Sequence, residues 1–369
     1  MRRIPLIKPV ITEALKDRVC RVLDSGYLTE GPVTREFERR VADYVGASHA
    51  LAVTSCTTGL ELALRAVGVG PGHEVVVPDY TYPATADVAM LLGATCVIVD
   101  VDPQTMLMDW EALEAAITPR TRVVMPVSIF GNPVDADRLA ALKARHGFLT
   151  VEDAACSLGA EFGGRRVGAL ADLTVFSFHP RKFITTGEGG MVLTDNAEWA
   201  AWMESFKHFG MGASPTREGA CFLRVGTNYK LSNVLAAIGL AQLDMADELL
   251  VERRALAARY DELLAGVPDV VLPRTTPNGR HSYQSYIVFV PGRDRVLRSM
   301  REKGVEVQIG TYSLHMHEAF RPGPLCRVQG DMAGSRSAYE HALALPLYHG
   351  MTAEEQAYVV DMLAGELAD

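Results

Sequence analysis

Apolar positions along the first two-thirds of the chain alternate between two patterns. Short continuous apolar runs predict strands at His49–Val53, Glu74–Val77, Thr95–Val99, Arg122–Val127, Phe148–Val151, Leu173–Phe178 and Gly190–Thr194. Between them, apolar residues recur at helical spacing. Thr34–Val45, Gly59–Val67, Ala84–Leu92, Trp110–Ile117 and Ala136–Arg145 are therefore expected to be helices, with Leu60, Ala63, Leu64 and Val67 on one face of the second. Strands that are apolar throughout, rather than on alternate positions, are buried on both faces. The pattern predicts an α/β fold with a mostly parallel central sheet flanked by helices. Ligands on such sheets sit beyond the carboxyl ends of the strands.

The pattern changes from about Leu231. Long helices are expected over Leu231–Leu264, then a Pro/Gly-containing stretch over Val267–Arg280. A strand at Tyr283–Val290, a helix at Val296–Lys303 and a last helix at Ala353–Leu363 follow. We expect a large domain over residues 1–245 and a smaller C-terminal α+β domain over residues 246–369.

Composition narrows the function classes. The 369 residues include 36 Lys and Arg against 45 Asp and Glu, a formal net charge of −9. A nucleic-acid binder would show a basic stripe instead. The most apolar stretch, Val88–Val99, is too short to span a bilayer, and no apolar run follows the N-terminal charges, so no signal peptide is expected. The six cysteines form no C-x-x-C pair. Reduced thiols in a cytoplasmic protein are expected, with neither a membrane nor a nucleic acid as partner.

The candidate chemistry gathers at strand ends. The strand Phe148–Val151 runs into Glu152 and Asp153. By itself Asp153 also reads as a helix N-cap. Lys182 alters that reading, because it follows a nearby strand and is flanked by Phe178, Phe183 and Ile184. A carboxylate that keeps a pyridinium nitrogen protonated and a lysine that carries an aldehyde as a Schiff base are what a pyridoxal phosphate site needs. Burial of Lys182 is expected to lower its pKa. The segment Thr54–Thr58 follows a strand and opens a helix. Its hydroxyls and free N–H groups offer an anion site for the phosphate. Ser177 could add a hydroxyl, and Tyr80 or Tyr82 a ring to stack on the cofactor. Two weaker signals are set aside. Gly68–Gly72 follows a helix rather than a strand, so it reads as a turn. His315 and His317 lack a third ligand at matching spacing, so no metal is expected.

These motifs, in this order, resemble the DegT/DnrJ/EryC1/StrS family of sugar aminotransferases, pyridoxal phosphate enzymes of fold type I, like aspartate aminotransferase. The resemblance runs from GYLTEGPVTREFER through VTSCTTGLELAL, VEDAACSLGAEFGGRRVG and FSFHPRKFITTGEGG to LPLYHGMT. It implies that Lys182 forms the Schiff base and moves the proton. It implies that Asp153 pairs with the ring nitrogen, that Thr57, Thr58 and Ser177 hold the phosphate, and that Tyr82 stacks on the ring. Asn228 would reach the phosphate of a neighbouring subunit in a homodimer with shared active sites. Glu188 and its glycines would shape the adjoining loop. Two positions depart from the family. Cys156 stands where Gln is usual, beside the ring hydroxyl, and Cys56 stands where Gly is usual in the phosphate turn. Lys182 itself argues against the family's dehydratase branch, in which His replaces it.

The resemblance implies transfer of an amino group from an amino acid, expected to be L-glutamate, to a keto-sugar, expected to be nucleotide-linked. A keto-cyclitol acceptor is the alternative. A cofactor-binding regulatory protein without transaminase activity is the alternative of a different class. Substrate contacts are expected from Tyr27, Thr29, Glu188, His208, Tyr312 and His315.

Overall fold

The computed structural model describes residues 3–212 and 218–368. Eight strands form the central sheet. In chain order they are β1 (His49–Val53), β2 (Glu74–Pro78), β3 (Thr95–Val99), β4 (Thr121–Val124), β5 (Leu149–Asp153), β6 (Leu173–Ser177), β7 (Gly190–Thr194) and β8 (Cys326–Gln329). Their spatial order is β1-β7-β6-β5-β4-β2-β3-β8. Only β7 runs antiparallel to its neighbours. The expected mostly parallel sheet is therefore present, and its apolar residues pack into helices on both faces.

Local sequence explains where the helices begin and end. Helix Pro32–Val45 has Pro in its first turn and ends at Gly46, whose φ of 80° closes the αL cap. Helix Cys56–Ala66 starts three residues before the expected Gly59, because Ser55 and Thr58 form a reciprocal capping box. Gly59 has no side chain because the helix lies against the sheet. A Cβ there would come 2.7 Å from Val175 Cγ1.

The second layer is a three-stranded antiparallel sheet of Tyr286–Phe289, Ala342–Leu345 and Gln308–Ile309. It packs with helices Ala246–Leu264, Arg293–Glu302 and Ala353–Ala368 around a core of its own. Several segments cross the position 245/246, among them Gly279–Arg280 and Tyr312–Ser313, which pair with Glu161–Phe162 and Tyr80–Thr81. Ile4 bridges to Val305 and joins the second core, while β8 returns to pair with β3. Among the described residues, no helix is long and apolar enough to cross a membrane.

One buried charge network ties the first layers together. Lys207, fully buried, lies 3.0 Å from Glu30, 3.0 Å from Glu38 and 3.2 Å from Glu204. It also donates to the Ala52 carbonyl at 3.2 Å, while Glu38 accepts from the Ala52 N–H at 2.8 Å. Removing one partner of such a network leaves charge buried without compensation. Lys207→Met should lower stability by about 3–5 kcal/mol, read from urea denaturation. A wild-type midpoint would contradict this.

Candidate active site

Strands β5 and β6 are parallel neighbours with Asp153 opposite Val175. The chain leaving each strand therefore emerges at one rim of the sheet. After β6 the loop folds back on itself. Phe178 N–H donates to the Gly189 carbonyl at 2.9 Å, and Thr186 N–H to the Phe178 carbonyl at 3.0 Å. Phe183 and Ile184 sink into the core below. Anchored in this way, the loop places Lys182 in a cavity of about 560 Å³ together with Asp153.

Asp153 is almost wholly buried. Its Oδ2 accepts from Thr85 Oγ1 at 2.7 Å and its Oδ1 from the Ala155 N–H at 3.1 Å. Burial pushes its pKa up; Thr85, the Ala155 N–H and Lys182 pull against that. A cation placed against this carboxylate would favour its charged form. Glu152, one residue earlier, points to the other face of the strand, as the two-residue period requires. It accepts from Ser128 Oγ and lies outside the cavity.

Lys182 Nζ lies 3.1 Å from Cys156 Sγ. The expectation of a lowered pKa is overturned. Burial is the largest single influence and lowers it, but Cys156, Cys56 and Asp153 together outweigh burial, and the net shift is upward. Cys56, at the first position of its helix, turns its sulfur toward Asp153 Oδ1 at 4.0 Å, and burial raises its own pKa. The strand β7 begins directly against that helix. A Cβ on Gly190 would meet Cys56 N and the Ser55 carbonyl at 2.7 Å. Glycine is what lets the helix N-terminus sit at the cavity wall.

Seven expected residues share this cavity: Thr57, Tyr82, Asp153, Cys156, Ser177, Lys182 and Glu188. Thr58 does not line it. Its hydroxyl donates to the Ser55 carbonyl at 2.9 Å and accepts from the Ser55 N–H at 3.1 Å, so it serves the helix cap. Asn228 is exposed and accepts from Lys230 Nζ at 2.7 Å. The carbonyls of Tyr27 and Thr29 accept from Asn233 at 3.0 and 3.4 Å. His208 ends helix Ala197–Lys207. Tyr312 stands at the rim, its ring 6.3 Å from that of Tyr82. His315 is held by the buried Asp79, through Nδ1 at 2.6 Å and its backbone N–H at 2.7 Å. None of these last six residues lines the cavity in a single chain.

The sequence reading missed Thr85, Arg181, Gln284 and the N-terminal Leu6 and Ile7. The apolar Leu6 and Ile7 carried no strand or helix pattern. Gln284 Nε2 donates to the Arg181 carbonyl at 2.7 Å, a contact across 103 residues that no local pattern announces.

The model of the DegT/DnrJ/EryC1/StrS aminotransferase family matches residues 9–364. The GDP-perosamine synthase of Caulobacter vibrioides is 38% identical, over 95% of this chain and 94% of its own. A spore coat polysaccharide biosynthesis protein of Bacillus subtilis is 33% identical, over 97% and 95%. Among solved structures, the PLP form of a putative sugar aminotransferase from Streptococcus pneumoniae superposes with a TM-score of 0.92. It is 31% identical, over 100% of this chain and 99% of that one.

Burial raises the Glu152 pKa from 4.5 to about 7. A carboxyl raised on folding stabilises the protein fully below its unfolded pKa, and that contribution is lost as pH rises to the folded value. Glu152→Gln should remove this loss. Relative to wild type, the variant should gain on the order of 3 kcal/mol between pH 4 and pH 8 in urea denaturation. Parallel pH profiles for the two proteins would contradict it.

Proposed function

The chain belongs to the DegT/DnrJ/EryC1/StrS aminotransferase family and is a pyridoxal phosphate-dependent sugar aminotransferase; we propose that it moves an amino group from L-glutamate to a nucleotide-linked keto-sugar. The observation that carries the reading is the joint placement of Lys182 and Asp153 in one cavity beside a helix N-terminus. The Caulobacter relative has a nucleotide-linked sugar in its name, which supports that class of acceptor.

The donor set suits the cofactor. A buried carboxylate, an amine and a helix N-terminus answer a ring nitrogen, an aldehyde and a phosphate respectively. When bound, pyridoxal phosphate supplies an aldehyde that takes up the amino group and a ring that withdraws electrons. Lys182 Nζ would hold the aldehyde and, when free, would carry a proton from and back to the substrate carbon. Asp153, its carboxylate fixed by Thr85, would accept a hydrogen bond from the ring nitrogen. Thr57, Ser177 and the N–H groups at the start of helix Cys56–Ala66 would hold the phosphate, and Tyr82 would cover the ring. Thr58 acts through the cap that shapes the turn. Cys156, whose Sγ lies 3.1 Å from Lys182 Nζ, would contact the ring hydroxyl.

We also infer a homodimer. Phe209, Phe222, Leu223 and Val225 are exposed apolar residues on the segment that carries Asn228. A second copy covering them would bring Asn228 toward its neighbour's site.

Two measurements test the reaction. L-glutamate should convert the bound cofactor to its amino form, and Lys182→Ala should slow that conversion at least roughly a thousandfold. Wild-type conversion by Lys182→Ala would contradict the assigned role, and no conversion by the intact protein would favour a regulatory one. Offered nucleotide-linked keto-sugars and keto-inositols in parallel, the enzyme should turn over the former. Turnover of keto-inositols alone would select the cyclitol reading.

A further inference from the structure

Cys56 and Cys156 both line the Lys182 cavity, both are half-buried, and they face opposite charges. Cys56 Sγ lies 4.0 Å from the Asp153 carboxylate and 3.9 Å from the Val175 carbonyl. Burial raises its pKa, and the negative charge of Asp153 adds to the rise, so this sulfur is kept as an unreactive thiol. Cys156 Sγ instead lies 3.1 Å from Lys182 Nζ. A cation beside a thiol favours the thiolate, the form that oxidants attack. Two pinned turns set this separation. After β5, the Ala155 N–H donates to Asp153 Oδ1 at 3.1 Å and the Ser157 N–H to the Ala154 carbonyl at 2.9 Å. After β6, the Lys182 N–H donates to the His179 carbonyl at 2.8 Å. The fold thus holds sulfur and nitrogen in contact across 26 residues of sequence.

A thiol against an amine can do what no other side chain in that place could. Hydrogen peroxide takes a thiolate to the sulfenic acid: sulfur bonds to one peroxide oxygen, the O–O bond breaks, and the other oxygen leaves as water. A nitrogen in contact with that sulfur then attacks it. The S–N bond forms, the S–O bond breaks, and the leaving hydroxide takes a proton from the nitrogen. One thiol, one amine and one peroxide give a sulfenamide and two waters; sulfur is oxidised by two electrons and the peroxide is reduced. Thiol reagents reverse the product, restoring both side chains.

We propose that Cys156 and Lys182 are a modification site for peroxide, which joins them in a reversible sulfur–nitrogen cross-link and withdraws Lys182 from the cofactor. The cross-link needs only the folded chain. Its dependence on the cofactor rests on the aminotransferase reading: Nζ is engaged while it holds the aldehyde and free once the cofactor is in its amino form. The test treats three samples with hydrogen peroxide: the holoenzyme, the holoenzyme after L-glutamate, and the protein stripped of cofactor. Each is digested without reductant and mapped by mass spectrometry. The stripped protein and the L-glutamate sample should yield a peptide pair joining Cys156 to Lys182, lighter by two hydrogens than the two peptides together and separated by dithiothreitol. The untreated holoenzyme should yield markedly less. Cys156→Ser should abolish the pair, and Cys56→Ser should leave it as in wild type; thermal melts confirm that each variant is folded. The proposal is overturned if the stripped protein gives no such pair, if Cys156 is recovered only as sulfinic or sulfonic acid, or if it is recovered in a disulfide with Cys56. The two readings fail separately. A cross-link in the stripped protein whose yield in the holoenzyme is indifferent to L-glutamate upholds this site and counts against Lys182 as the cofactor's amine. Conversion of the cofactor by L-glutamate without any cross-link sinks only this site.

Discussion

The parallel pairing of β5 with β6 is the constraint on which the rest depends. Because Asp153 lies opposite Val175, the carboxylate and the loop bearing Lys182 leave the sheet at one height and on one side. A one-residue slip would exchange Glu152 for Asp153 in the cavity and turn the apolar partners outward. Both faces of these strands are buried, so that slip is strongly disfavoured. The register is fixed by packing, and the chemistry inherits its geometry from the register.

Buried charge is distributed unequally around this frame. Lys207 is matched by three carboxylates and serves to join elements. Asp153 and Lys182 are less fully matched. Each feels the other's charge across the cavity, and their hydrogen-bond neighbours are a threonine hydroxyl, a backbone N–H and two thiols rather than a paired ion. Such groups hold free energy that a charged ligand can recover by pairing with them. The contrast separates a structural network from a binding site on physical grounds, without appeal to the family.

The strands were legible in the sequence because each is a continuous apolar run between turn residues. β8 was not. Its four residues include Arg327 and Gln329, which snorkel from the sheet's edge, and its partner lies more than two hundred residues earlier. The start of helix Cys56–Ala66 was misplaced because four hydroxyl residues within five positions disguised which of them were caps. Within the site, Lys182, Asp153 and Thr57 could be read because strand ends on a parallel sheet converge. The substrate contacts expected at Tyr27, Thr29, His208 and His315 rested on loop position alone, and none of the four lines the cavity of a single chain. Arg181 carried no pattern beyond its place next to Lys182. Its place in the cavity wall is shared with Leu6, Gln284 and Gln308, which only the tertiary fold brings beside it.

The central claim is that one amine, opposite one buried carboxylate, holds the cofactor. Reduction of the purified holoenzyme with borohydride, followed by digestion and mass spectrometry, addresses it directly. The account predicts a single pyridoxyl adduct on the peptide that contains Lys182. An adduct on a different lysine, or none in a protein that keeps its cofactor, would contradict it.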